Sequence, residues 1–272
     1  MTSCNIDLEA LTTDSNRSIA TLAVTTLLKT GRESSVDRLV KQISTFLYDV
    51  PDEFKIVVVD GVKQLATKFP DKHRTILSML GAALREDGGY AFKRALVNSI
   101  LSIMTNIPSC TDAALQALCD FIEDCEYVPL LTRILNVLGT QGPHTSTPAK
   151  YLRYVYNRII LESATVRAAA VSALVKFALA VDSLRTPVLA VLDRCMKDTD
   201  DEVRDRATLY HCALTNSTMA SLLNPTIDIP LTTLERALRK YIAHPSNDPF
   251  QLDEVHVDAE AGMPPLDTTC VV

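Results

Sequence analysis

The sequence predicts an all-α fold, a solenoid of stacked helical hairpins, from three features of its 272 residues. An apolar pattern at helical spacing recurs at a nearly constant interval, turn-forming residues fall in the gaps between recurrences, and strand-like alternation is scarce. Leu, Ala and Val abound, while there are only 8 Gly and no Trp, and 47% of the residues are hydrophobic, ample for a core.

The recurring pattern opens on a bulky apolar residue and continues with apolar or small residues three and four positions on. Its anchors are Ile19, Phe54, Phe92, Tyr127, Val166 and Val203, separated by 35, 38, 35, 39 and 37 residues. This period is that of HEAT-like repeats, in which each repeat is a pair of helices. From Phe54 the stripe runs through Val57, Val58, Val62, Leu65, Ala66 and Phe69, and from Tyr127 through Leu130, Leu131, Ile134, Leu135 and Leu138. Residues at this spacing share one helix face. The stripe from Val166 is made of smaller side chains, Ala169, Ala170, Ala173 and Ala178 among them, which would let a neighbouring helix approach closely.

Between the anchored helices the sequence predicts others over about Glu33 to Tyr48, Lys72 to Arg85, Asp112 to Asp124, Ala149 to Leu161 and Leu184 to Lys197. Gly31, Pro70, Gly88-Gly89, Pro108 and the stretch from Gly139 to Pro148 punctuate the pattern where the chain must reverse. Asp201 or a neighbour is expected to cap the last anchored helix. One helix pair cannot bury both faces, so the pairs are expected to stack into an elongated, curved body with a long groove. Next to four of the anchors stand Lys55, Lys93, Arg167 and Arg204, with Glu162, Asp200 and Asp201 upstream, read as charges that brace successive repeats.

At the start, Asn5 to Thr12 reads as the end of a first helix whose partner begins near Asp14, so the first repeat looks partial and the solenoid incomplete at that end. Residues 1–244 are expected to form the solenoid, closed by a helix in LERALRKYIAH, and residues 245–272 a flexible, acidic linker.

Several chemistries find no support in the pattern. The net charge of −6 lacks the clustered Lys and Arg of a phosphate-binding surface, so nucleic acid is not expected as a partner. No apolar run reaches the roughly 18 to 20 residues that span a bilayer. Seven cysteines without a CxxC pair suit reduced thiols, several of them small core residues. The five histidines are scattered, with no HExxH or Cys/His ligand spacing, and neither GxxxxGK[ST] nor GxSxG occurs. The expectation is therefore a binding scaffold with no catalytic residue, metal or cofactor.

The stretches NIDLEALTTDSNRSIATLAVTTLLKTG, DEFKIVVVDGVKQLATKFPDKH, LREDGGYAFKRALVNSI and LCDFIEDCEY resemble, in order, the trunk of the coatomer gamma subunit family. So do TRILNVLGTQGPHTSTPAKYLRYVYNRIILESATVRAAAVSALVKFA and DDEVRDRATLYHCAL, which carries the resemblance over about residues 4 to 243, while Asn98 to Thr111 and Thr215 to Ile229 diverge. The resemblance implies an adaptin-like trunk in the vesicle coat that serves Golgi-to-endoplasmic-reticulum retrograde and intra-Golgi transport. It implies other coatomer subunits, zeta above all, as partners, with an Arf-family GTPase in its GTP form and cargo tails. It further implies a cytoplasmic protein, peripheral on Golgi membranes and held there through its partners. The large chain of a clathrin adaptor is an alternative built in the same way, and a solenoid scaffold for a phosphatase or a nuclear transport receptor is another. For a protein-binding surface the sequence points to Tyr151, Arg153, Tyr154 and Arg158, long aromatic and basic side chains on one helix beside the Gly/Pro-rich loop. Packing within the repeat competes as the explanation of Tyr154 and its neighbours.

Overall fold

The computed structural model describes residues 2–216, 231–243 and 250, with side chains from residue 7 onward. Among these residues there are helices and turns and no strand. Two units are distinguished, residues 1–220 and 221–272. The first contains α1 (Thr2–Leu11), α2 (Arg17–Thr30), α3 (Val36–Asp49), α4 (Asp52–Lys68), α5 (His73–Arg85), α6 (Tyr90–Asn106), α7 (Thr111–Asp124), α8 (Val128–Gln141), α9 (Pro148–Leu161), α10 (Ala164–Ala180), α11 (Arg185–Cys195) and α12 (Asp201–Thr215). The second contains α13 (Leu231–Ala243), whose Leu234, Ala237 and Tyr241 are half-buried. The stretch 245–272, expected to be a linker, lies outside the described residues apart from Phe250, as does 217–230.

The helices alternate in two rows. Even-numbered helices pack in succession, α2 on α4 on α6 and α8 on α10 on α12, while α3 packs on α5 and α5 on α7. The buried stripes account for this arrangement. On α4 it is Val58, Val59, Gly61, Val62, Leu65 and Ala66, and on α6 it is Phe92, Leu96, Val97, Ile100 and Ile103. Each such Leu, Ile or Phe contributes roughly 1.5–3 kcal/mol by leaving water.

The spacing between helices follows side-chain size. A Cβ on Gly139 of α8 would lie 2.8 Å from Ala173 Cα of α10, so these two backbones are nearly in contact. Gly61 likewise sits against Leu28, where a Cβ would be 2.8 Å from its Cδ1. α6 and α8 do not come into comparable backbone contact; α7, packed against both α5 and α6, joins the two halves.

Short 3₁₀ turns at Glu33–Ser35, Pro70–Lys72, Pro108–Cys110, Gly142–His144 and Asp182–Leu184 lead into the odd-numbered helices. Phe69, Ile107 and Val181 leave α4, α6 and α10 in similar non-helical conformations, with φ of −126°, −130° and −131°. None of the described glycines has a positive φ. Gly88 and Gly142 instead make room, since a Cβ there would meet the rings of Phe92 at 2.6 Å and Phe177 at 2.5 Å.

The anchors differ in depth. Phe92, Val166 and Val203 are fully enclosed, whereas Phe54 and Tyr127 are half-buried. Ile19 corrects the expectation, being 42% exposed, because the face that α2 turns to its neighbours begins one residue later at Ala20 and continues through Ala23, Val24, Leu27 and Leu28. Val57, expected within the stripe of α4, is also exposed. The cap on α12 is Asp200, whose carboxylate accepts from the Val203 N–H at 3.2 Å.

Candidate protein-binding surface

Polar contacts between repeats share the period of the apolar pattern. Most join residues 34 to 40 positions apart, so equivalent places in adjacent repeats hold each other. Lys72 pairs with Asp37 at 2.7 Å, and the Gly89 N–H donates to Asp52 at 2.7 Å. Lys176 donates to Asn136 at 2.8 Å, and Arg133 of α8 donates to Asn98 of α6. The Gly89 N–H, helped by Lys55, holds the Asp52 carboxyl below the usual carboxylate range.

The four charges beside the anchors act as braces, each by its own geometry. Lys55 pairs with Asp52 at 3.2 Å and lies 5.1 Å from the Phe92 ring centre in the next repeat. Lys93 is buried, donating to the Leu84 carbonyl at 2.6 Å and to that of Glu86, so its ammonium satisfies the C-terminal end of α5. Burial pushes its pKa down. Arg167 grips Asp198 through two parallel bonds of 3.0 and 2.7 Å and donates to the Glu162 carbonyl at 2.9 Å. That fork lowers the Asp198 pKa and raises that of Arg167. Arg204 pairs with Asp201 and donates to the Asp198 carbonyl at 2.8 Å. The upstream acids singled out in the sequence do not include Asp198, the central partner. No local signal marks it, because the bond joins the connection after α11 to the start of α10.

α9 divides the four residues predicted for binding. Tyr151 faces inward, 2% exposed, and its hydroxyl donates to the Asp112 carbonyl at 3.1 Å; burial first, then nearby Asp112, push its pKa up to about 12. Arg158 is also enclosed, donating to the Ile122 carbonyl at 3.2 Å and pairing with Glu162 at 2.8 Å. These two therefore hold repeats together. Arg153 is exposed and Tyr154 half-buried, its hydroxyl accepting weakly from Gln116 at 3.5 Å. With Lys150, Asn157, Ala149 and Glu123 they line an open cleft of about 540 Å³ between α7 and α9. Helical spacing explains the split, since Tyr151, Val155 and Arg158 share the inward face that positions 153 and 154 leave.

Burial pushes the Cys119 thiol up to about 12, and raises Cys110 and Cys195 for the same reason, so these sulfurs pack as small apolar groups. Among the described residues no group of three His, Cys, Asp or Glu side chains converges to hold a metal, and no helix is long and apolar enough to cross a membrane.

The family model for the adaptin N-terminal region matches residues 1–218. The chain belongs to this family. Within it, the chain is 51% identical over 263 residues to coatomer subunit gamma-1 of Oryza sativa subsp. japonica, covering 94% of this chain and 30% of the relative. It is 52% identical over 260 residues to coatomer subunit gamma-2 of Homo sapiens, again covering 94% of this chain and 30% of the relative. The adaptin-family chain thus spans about 30% of the length of these curated relatives. A homology model of the full-length AP-3 complex in an intermediate open conformation shares its fold, with a TM-score of 0.59 at 13% identity over 87% of this chain and 48% of the other.

Proposed function

We propose that this chain is a structural part of a coatomer coat, a protein-binding scaffold in Golgi-to-endoplasmic-reticulum retrograde and intra-Golgi vesicle transport. The observation that carries the reading is its 51–52% identity with coatomer gamma subunits of plants and animals across 94% of its length. Residues 1–244 are its solenoid body and 245–272 its linker. It performs no catalysis: many of its charged side chains join repeats, and its buried thiols are held protonated. Its partners are other coatomer subunits, the zeta subunit above all, with an Arf-family GTPase in its GTP form and cargo tails. It reaches Golgi membranes through them.

The face offered to a partner is the α7/α9 cleft, with Arg153 and Tyr154 as its anchors, since aromatic and arginine side chains dominate interface energies. Tyr151 and Arg158 support that face from within. The test is affinity capture of the tagged chain from cells, probed for coatomer subunits and for a GTP-locked Arf-family protein. Recovery of coatomer is expected, and Arg153→Glu with Tyr154→Ala should reduce it while leaving the helical circular dichroism intact. Absence of every coatomer subunit from the captured material would refute the assignment.

A further inference from the structure

A second cleft, of about 400 Å³, lies between α9 and α11 on the other side of α9, where those two helices do not pack closely. Its lining combines the apolar bodies of Tyr156, Ile159, Ile160 and Val191 with the Arg167–Asp198 pair, and it also carries Arg194 and Lys197. Ile160 is 44% exposed, and Leu161, next to it at the end of α9, is 72% exposed. The surrounding charges are unevenly used. Asp198 is taken by Arg167, Asp193 by His211 at 3.1 Å, and Glu162 by Arg158. Arg194 and Lys197 have no side-chain partner among the described residues, and both are exposed. A chain of net charge −6 thus presents, at one place, a trough of mixed lining with two cations that have no side-chain partner among the described residues, its one lining carboxylate, Asp198, being already bonded to Arg167.

We propose that this cleft is a docking site for a short acidic segment of a partner protein, with apolar side chains seated between α9 and α11 and flanking Asp or Glu side chains on Arg194 and Lys197. The apolar part of the lining supplies contact area, and Arg194 and Lys197 set orientation and the choice of an acidic over a neutral segment. A basic segment is rejected by the same two cations. The site is separate from the α7/α9 face and stands whether or not the coat assignment does.

The experiment measures fluorescence anisotropy of a labelled short peptide holding one Phe and one Leu among Asp and Glu, titrated with the full chain. Saturable binding is expected, weakening as salt rises. The Arg194→Glu/Lys197→Glu variant should bind about tenfold more weakly, as should the wild-type chain with a probe bearing Asn and Gln in place of the acids. Ile160→Asp should also weaken binding, with the thermal midpoints of all variants unchanged because the three side chains are exposed. Equal affinity for the charge-reversed chain, or no saturation, would overturn the proposal. So would sedimentation showing that the cleft pairs two copies of the chain. Binding to phosphatidylserine vesicles that the same charge reversal abolishes would assign the site to a membrane instead.

Discussion

Gly139 and Gly61 occupy similar places on α8 and α4, but what each faces differs. A Cβ on Gly139 would strike backbone and Cβ atoms of Ala173, which cannot move without moving α10; a Cβ on Gly61 would strike the tip of the Leu28 side chain, which can rotate away. Gly139→Ala is therefore expected to destabilise by about 1–3 kcal/mol through overpacking. Gly61→Ala should be near neutral, the gain in helix propensity of about 1 kcal/mol offsetting the adjustment. Urea midpoints of the two variants check this, and equal shifts would contradict it. At Asp198, the Arg167 fork keeps the folded-state pKa below its ordinary value, so the carboxylate stabilises the fold above the usual carboxylate range and that contribution fades as pH falls through it. Asp198→Asn should cost about 2 kcal/mol at neutral pH, the scale of hydrogen bonds to a charged group. The gap between variant and parent in urea titrations should narrow toward pH 3, and a gap independent of pH would refute the brace. The enclosed anchors Phe92, Val166 and Val203 were legible in the sequence because their spacing is local; Asp198 was not, because it lies outside the helices and its partner stands 31 residues away on α10.

Among the elements, α10 shows the strength and the limit of reading periodicity. Its stripe is buried from Val166 to Ala178 except at Ala169, which is half-buried, and its small residues predict the close approach that α8 makes. Phe177, wholly enclosed beneath Gly142, should lose about 3–5 kcal/mol on substitution by Ala, whereas Ile19→Ala on α2 should stay within about 0.5 kcal/mol. Thermal denaturation of the two variants distinguishes the positions, and a large effect at Ile19 would mean that its exposed face is covered. Sequence spacing put both residues on apolar stripes. It cannot say which edge of a stripe faces a neighbour, since that depends on where the adjacent helix crosses. The same uncertainty divided the α9 residues, because four long side chains within eight positions necessarily sample opposite faces.

In the unit of residues 1–220, cohesion is uneven along the stack. The α8–α10 joint is tight and cross-braced by Lys176 on Asn136, whereas α6 and α8 meet without close backbone packing and are joined by α7, the Arg133–Asn98 bond and the edge-on Tyr90–Tyr127 ring contact. A solenoid's stability is close to a sum of its repeats and nearest-neighbour interfaces, so α8 and α10 should exchange amide hydrogens together and late in mild urea, and α1 and α2 earlier. Uniform protection from α1 to α12 would show that the α6–α8 joint transmits as much cohesion as the others. The class of fold, the number of anchored helices and the places of reversal were determined by the sequence itself, since helical periodicity, proline and glycine act within a few residues. Only the tertiary structure decided which side chains join repeats and which face a partner. Tyr151 and Arg158 went inward while Arg153, Arg194 and Lys197 stayed free, because burial depends on the distance and angle between helices that lie a full repeat apart in the chain.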